Sequence, residues 1–556
     1  MFSFFPHRAK HTQAAASADL ESVTLQRGQE LLAAMRRHNR RLAGMRKQAS
    51  DRLLDWAMGD ASFKTQLFRY VDVFPTLNSP ELVHDVLLDY LHQPNVVLPP
   101  GLGWGLKAGG MLKGSLAKTV TGSIERMADS FIAGANVAAA LPQLARQWQD
   151  NIAFSVDLLG EASLSDDEAD AYLQRYLRLI VELDEATRTW PAQPVLESDH
   201  LGATPRVNVS VKISSLSAHV KPEDFAGTIE RLSARIAPLL NCAAERGVFV
   251  NFDMEQSAYK DLTIALFQRC CEQIDFSAGI AIQAYLRSGP ADATNLIEWA
   301  KRTGRQVTVR LIKGAYWDYE LIHAEEQGWP VPVWQKKSET DACFEAMVEQ
   351  FVAAIPRQPS AGGVKLALGS HNVRSIAHAQ AALAAADLPP SALEYQLLQG
   401  MADGLRMALV EQGQRVRAYM PIGEIIPGMA YLVRRLLENT SNESWLRGSA
   451  TTSTSDAALL AAPDKVALER SLPDDEATRN RWAQRHSLTS PTASRPVPFL
   501  NEPLRDFSHA NVRDEFRTAV ESIRLSPTPQ LLTVESTQAA IERARAASAG
   551  WGAQSV

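Results

Sequence analysis

Val248 to Ile312 reads VFVNFDMEQSAYKDLTIALFQRCCEQIDFSAGIAIQAYLRSGPADATNLIEWAKRTGRQVTVRLI. Three apolar runs stand out in it, Val248 to Asp253, Gly279 to Tyr285 and Gln306 to Ile312, and an amphipathic stretch of helical length follows each. Connections of roughly 20 residues or more suit parallel crossovers, because a hairpin needs only a few. Outward from this stretch the alternation continues through Ala153 to Leu159, Arg206 to Ile213, Val364 to Gly369, Leu393 to Leu398 and Val416 to Met420. Eight such repeats with no glycine-rich first turn predict an α/β fold, a closed (β/α)8 TIM-like barrel rather than an open doubly wound sheet.

The last helix of the series is Pro427 to Asn439. Tyr431, Arg434, Arg435 and Glu438 fall at i, i+3, i+4 and i+7 and share one face, with Leu432, Val433, Leu436 and Leu437 on the remainder. Paired guanidinium groups beside a tyrosine and a carboxylate suit bidentate capture of an anion. A solvated face with a salt bridge at helical spacing is the alternative.

Upstream, Ala15 to Arg146 reads as an all-helical domain. Leu25 to Gln48 is amphipathic and carries Arg36, Arg37, Arg40, Arg41, Arg46 and Lys47, read first as a solvated or domain-packing face. Leu53 to Tyr70 and Glu81 to Leu91 follow, the second opened by Ser79 and Pro80 as cap and first-turn proline. The glycine-rich Pro99 to Gly110 stretch matches neither dinucleotide nor Walker spacing and follows no strand, so it reads as a connector. Beyond Gly448 a Ser/Thr linker and a proline-rich segment lead to ordered texture at Leu500 to Val520 and Thr537 to Gly552, with an amphipathic helix over Gln538 to Ala547. The expected divisions are 1–150 (helical), 151–447 (barrel), 448–499 (linker) and 500–556 (start of a further module).

Composition excludes little but bounds the class. The chain has 556 residues, 46% hydrophobic and 22% charged, with a net charge of -6, which argues against a dominant nucleic-acid surface. Cys242, Cys270, Cys271 and Cys343 show no zinc-ligand spacing and no disulfide framework, so no metal is expected and a reducing compartment is. No stretch is apolar enough for a signal peptide core or a membrane span, leaving a cytoplasmic chain with at most peripheral membrane contact.

Barrels of this kind gather their active sites at the carboxyl ends of the strands. Lys212, Asp253, Gln283, Tyr285, Arg310, Lys313, Tyr316, Ser370, His371, Asn372 and Tyr419 all stand there. Singly, each has a plain reading as a cap, a snorkelling lysine or a structural histidine; their concentration on one rim points to a site. Lys212, Arg310, Lys313, Arg434 and Arg435 against Asp253 and Glu438 suit an anionic ligand or a reduced flavin, and equally a Schiff-base aldolase on Lys212 or Lys313. Spacing does not separate the two.

Val209 to Ser214, Phe252 to Glu255, Ile282 to Tyr285, Val309 to Trp317, Ser370 to Asn372 and Tyr431 to Asn439 together resemble, in order and spacing, the proline dehydrogenase family, and within it the proline dehydrogenase half of the bifunctional proline utilization A proteins. The resemblance implies an FAD-dependent barrel that oxidises L-proline to Δ1-pyrroline-5-carboxylate and passes electrons to a membrane quinone. It implies Lys212, Arg434 and Arg435 on the proline carboxylate, with Glu438 orienting a guanidinium, and Tyr316, Tyr419 and Tyr431 around the ring. Arg310 would lie against the flavin, with Asp253 in the polar network that orders the site. Phe252, Gln283, Arg310, Leu311, Ile312, Lys313, Gly369, Ser370 and His371 would hold FAD.

Ser370 stands where family members often carry threonine, and it keeps the hydroxyl. Phe499 to Ser508 resembles the lead-in to the pyrroline-5-carboxylate dehydrogenase half, and Ala547 to Trp551 an early aldehyde dehydrogenase helix, but no Rossmann domain or nucleophilic cysteine in that context follows. The resemblance is therefore to a truncated or split first half; in the split case the dehydrogenase half would stand on a separate chain. No short strand precedes two helices near the amino terminus, so a ribbon-helix-helix DNA-binding module is not expected. A homo-oligomer, a Schiff-base lyase and a non-catalytic docking half stay open.

Overall fold

In the computed structural model, β1 (Ile152–Leu158), β2 (Asn208–Val211), β3 (Phe249–Phe252), β4 (Ser277–Gln283), β5 (Gln306–Ile312), β6 (Gly363–Gly369), β7 (Leu393–Leu398) and β8 (Arg415–Ile422) each pair in parallel with their sequence neighbours. β1 pairs with β8 from Ile152↔Val416 to Leu158↔Ile422 and closes the barrel. The structure describes residues 7–45, 61–93, 130–160, 162–424, 455–463, 504–524 and 533–552, with positions 96, 122, 428, 431, 434 and 435.

β5 and β7 occupy the spans expected from the sequence. β2 is shorter than expected because Lys212 already caps the 3₁₀ turn Ile213–Leu216. Tyr285 lies past the end of β4, where its N–H donates to Lys313 O at 2.7 Å and ties two rim loops together.

Val209, Val250, Ile280, Val309 and Leu366 lie in one core with Leu239, Leu266, Leu296 and Phe344 of the surrounding helices. Their neighbours in sequence point the other way, as the strand period requires, and include the polar Ser210, Asn251 and Arg310. Helix ends follow local chemistry. The Ser165 side chain accepts from Glu168 N to start Asp166–Thr187, the Asp224 side chain accepts from Gly227 N to start Phe225–Arg246, and that helix ends at Gly247 with φ 65°.

Of the amino-terminal helices, α1 (His7–Met45) packs on α2 (Val373–Ala385) and α3 (Asp403–Glu411) of the barrel. Thr24, Gly28, Leu31, Leu32 and Met35 are buried at helical spacing, while Arg36 meets Asp456 and His38 meets Glu411 on partly exposed edges. Burying each large apolar side chain is worth about 1.5–3 kcal/mol and an exposed ion pair about 0–1, so the apolar stripe docks this helix. The expected cap on the later helix is present: Ser79 accepts from Leu82 N at the start of Pro80–Leu91. Ala61–Val73 is helical, and positions 53–60 of the expected Leu53 to Tyr70 helix lie outside the described residues, as do the glycine-rich connector and most of the linker.

The chain divides into two compact units, Met1–Leu504 and Arg505–Val556. The second contains helices Ala510–Ser522 and Val534–Gly552, and Phe507 packs edge-on against Phe516 at 5.2 Å within it. Among the described residues no helix is long and apolar enough to cross a membrane, and no cluster of three metal-ligating side chains is present.

Candidate active site

Arg310 projects from β5 into the barrel and is 5% exposed. Its Nη1 donates to Asp253 Oδ1 at 2.5 Å, its Nε to Gln396 Oε1 at 2.6 Å, and its Nη2 to both Ser155 Oγ and Ser210 Oγ at 3.1 Å. Those partners come from β7, β1, β2 and the residue after β3, so only a side chain crossing the interior can reach them all. Buried polar groups need such partners, and a charged one most of all. The guanidinium also lies over the Tyr419 ring, 5.2 Å from its centroid.

Asp253 is the second centre of this network. Besides Arg310 it accepts from Tyr419 Oη at 2.7 Å and from Asn251 Nδ2 at 2.9 Å, and Lys212 Nζ stands 3.8 Å from Oδ2. Lys212 also forms an ion pair with Asp157, which is 2% exposed. Burial would lower the Lys212 ammonium, but Asp157 and Asp253 outweigh it and hold its pKa above the ordinary value. Burial, reinforced by neighbouring Asp253, pushes the Asp157 carboxyl up despite Lys212. Burial, with Asp157 and Asp253 close by, raises the Tyr419 phenol well above its usual range, so it acts here as a hydrogen-bond donor.

A second group gathers at Tyr431, Arg434 and Arg435. Arg434 Nη1 donates to Tyr316 Oη at 3.3 Å, and its guanidinium sits 4.7 Å from the centre of the Tyr316 ring. Arg435, 7% exposed, lies over the Tyr431 ring at 5.2 Å. Each guanidinium thus lies over an aromatic ring, whose electron-rich face attracts the cation and helps to position it. Glu438 lies outside the described residues.

The third group lines the rim from β3 to β7. Phe252 turns its ring outward onto Phe267 at 5.4 Å, so its backbone is what it offers the barrel. Gln283, 2% exposed, donates from Nε2 to Glu255 O at 3.1 Å, while its buried Oε1 has no hydrogen-bond partner among the described residues. Glu255 accepts from Ser214 N at 3.1 Å and from Ser214 Oγ; burial raises its pKa, partly offset by these bonds. Lys313 pairs with Asp341, which also takes Lys337 at 2.5 Å. Burial, aided by Lys337, lowers the Lys313 ammonium against the pull of Asp341.

Leu311 is fully buried, and Ile312 ends β5 beside Gly369, where a Cβ would approach the Ile312 side chain to 2.7 Å. His371 Nε2 accepts from Leu398 N at 3.0 Å, which leaves Nδ1 as the ring donor. Ser370 Oγ accepts from Asn372 N at 3.1 Å, and Asn372 in turn caps α2.

The sequence reading named Lys212, Asp253, Arg310 and Tyr419, and the barrel brings these four together. It did not name Asp157, Ser155, Ser210, Asn251 or Gln396, all of which contact that set. The signal was alternation: Ser155 and Asp157, Ser210 and Lys212, Asn251 and Asp253 are each two apart on one strand face.

The proline dehydrogenase family model matches residues 140–448, and a model described as the proline utilization A N-terminal domain matches residues 21–131. Among curated proteins, the bifunctional protein PutA of Escherichia coli is 29% identical over 349 residues, covering 61% of this chain and 25% of that protein. Proline dehydrogenase 1 of Bacillus subtilis is 23% identical over 316 residues, covering 57% of this chain and 88% of that protein. Among solved structures, proline utilization A from Bdellovibrio bacteriovorus, inactivated by N-propargylglycine, superposes with a TM-score of 0.75 at 36% identity, covering 90% of this chain and 48% of that one. The chain therefore spans about half of that structure's length and a quarter of the Escherichia coli protein's.

Proposed function

The chain belongs to the proline dehydrogenase family, and from that premise we propose that its barrel oxidises L-proline to Δ1-pyrroline-5-carboxylate. The observation that carries the reading is the pair of arginines stacked on Tyr316 and Tyr431 together with a buried Lys212–Asp253–Arg310–Tyr419 network at the barrel's carboxyl end.

In this reading Lys212, Arg434 and Arg435 bind the proline carboxylate, and Tyr316, Tyr419 and Tyr431 enclose its ring. Three cations on one carboxylate fix the orientation of C5–H and convert two reactants into one oriented complex. The neutral ring nitrogen's lone pair assists as hydride leaves C5, which gives the N-protonated cyclic imine, and loss of that N–H proton to solvent gives the imine product. Asp253 keeps Arg310 and the Tyr419 hydroxyl in place while this happens. FAD, when bound, supplies the two-electron acceptor. Phe252, Gln283, Arg310, Leu311, Ile312, Lys313, Gly369, Ser370 and His371 would hold it. The residues suit the group, because the buried Gln283 Oε1 is an acceptor without a donor among the described residues and Gly369 presents bare backbone at the rim.

Further parts of the proposal are a quinone as electron acceptor, a cytoplasmic location peripheral to the membrane's inner face, a homo-oligomeric assembly, and a pyrroline-5-carboxylate dehydrogenase partner. Residues 151–447 are the proposed catalytic barrel, 1–150 the helical arm, 448–499 a linker, and 500–556 the start of an aldehyde-dehydrogenase-like module.

A Schiff-base lyase would need a neutral amine, and the two carboxylates around Lys212 oppose that. Lys313 is pushed toward neutrality by burial but is clamped by Asp341. The absorption spectrum of the purified chain before and after L-proline tests the proposal: a flavin spectrum that bleaches is expected. A colourless chain, or borohydride trapping of a carbonyl on Lys313, would overturn it. Proline oxidation with an artificial acceptor separates an enzyme from a docking scaffold.

A further inference from the structure

The amino end of the barrel, opposite the site above, holds a cavity of about 330 Å³ lined by Asp199, Asn208, Lys365, Glu394, Arg415 and Arg417, among others. Most of its charges are matched. Lys365 Nζ meets Asp199 Oδ2 at 2.8 Å, and Arg417 grips Glu394 with two bonds, at 2.7 and 3.0 Å, while its Nη1 donates to Phe154 O at 2.7 Å. Asp275 at the mouth is paired with Arg305 at 2.7 Å.

Among the described lining residues, Arg415 is the cation with the weakest match. It is 9% exposed, and its two hydrogen bonds, to Ser391 O and to Glu394 Oε2, are both 3.4 Å. Among the described residues its buried Nε has no hydrogen-bond partner. Glu394 takes shorter bonds from Arg417, at 2.7 and 3.0 Å, and from Gln396 Nε2, at 2.7 Å, so Arg415 has only its long fourth contact. Two guanidinium groups therefore share one carboxylate in a buried space, and burial lowers the pKa of Arg415 with Arg417 adding to the effect. An under-compensated buried charge is costly, and the surplus here is a single positive charge facing a cavity with room for a few heavy atoms.

We propose that this cavity is a binding site for a small monovalent carboxylate, anchored by Arg415. The planar guanidinium offers Nε and an Nη side by side, the donor pair that matches a carboxylate's two oxygens. A dianion is disfavoured because Glu394 and Asp199 line the same walls. The site is separate from the carboxylate clamp of Arg434 and Arg435, so it stands whether or not the proposed reaction is correct.

The test is thermal unfolding of the full chain titrated with sodium acetate, in wild type, Arg415→Gln and Arg435→Met. A saturable rise of about 2 °C or more is expected in wild type and in Arg435→Met, and its loss in Arg415→Gln. If Arg415→Gln does not fold, Arg415→Lys replaces it and should shift the acetate midpoint several-fold upward. An acetate response absent from wild type, or unchanged in the Arg415 variant, would overturn the site. A response confined to chains with Arg435 would assign the effect to the carboxylate clamp instead. Inorganic phosphate at pH 8, as a dianion, should give no comparable rise; an equal rise would refute the monovalent class.

Discussion

Asp253 and Arg310 form a 2.5 Å ion pair in the barrel interior, 8% and 5% exposed. Removing one member of a buried pair strands the other, which costs about 3–5 kcal/mol. Asp253→Ala should therefore lower stability by that order in urea unfolding, and with it remove the acceptor of the Tyr419 hydroxyl. A loss below about 1 kcal/mol would mean that water or Gln396 compensates Arg310 and that Asp253 is not the centre of the network.

The stacked arginines bear on substrate rather than on the fold. Each charge-assisted contact is worth about 1.5–3 kcal/mol, so Arg434→Met and Arg435→Met should each raise the proline requirement about 10- to 150-fold. Flavin content, read from the visible spectrum, should change far less. Steady-state kinetics with an artificial acceptor decides this: an unchanged KM in both variants would remove the arginine pair from the carboxylate site.

How much of this was legible beforehand depended on the kind of signal. β5 and β7 were read to the residue because Val307, Val309 and Leu311, and Leu393, Tyr395 and Leu397, recur at the two-residue strand period as they pack outward on the helices. The strand-end residues followed once the barrel was recognised, since topology alone puts Lys212, Asp253 and Tyr419 at one mouth. The interior was harder. Glu394, Gln396, Arg415 and Arg417 sit inside strands that read as mixed polar sequence, and their pairing depends on which residues meet across the barrel. That requires the register, such as Arg415↔Glu394 and Arg417↔Gln396, which no local pattern carries. Asp157 was passed over because one carboxylate in an apolar run gives no hint of a lysine 55 residues on.

Gly314 ties rim geometry to a single backbone position. Its φ is +124°, and a Cβ there would lie 2.5 Å from the Tyr285 ring. Gly314→Ala combines backbone strain with that clash and should cost more than about 1 kcal/mol, a sign opposite to the usual gain from replacing a compatible glycine. Because Tyr285 N donates to Lys313 O, the same variant should also weaken flavin retention on gel filtration. A stability gain would show that the loop can relax around the new methyl.

Glu394 contributes to the acid limb of stability. Burial alone would raise its pKa, but Arg417 and Arg415 outweigh burial and bring it from 4.5 down to about 2. A depressed carboxylate contributes stability above its unfolded pKa and loses it as pH falls through the folded value. The contribution, on the order of 3 kcal/mol, is therefore complete near neutrality and declines from about pH 4.5 toward pH 2. Glu394→Gln should be less stable than wild type by that order at pH 7, with the gap closing as pH approaches 2. The same change frees the Gln396 amide, whose orientation toward Arg310 is fixed because the ionised Glu394 can only accept from Gln396 Nε2. Urea unfolding of both proteins at several pH values reads the gap directly, and a gap that stays constant from pH 7 to pH 3 would show that Glu394 is not ionised in the folded barrel.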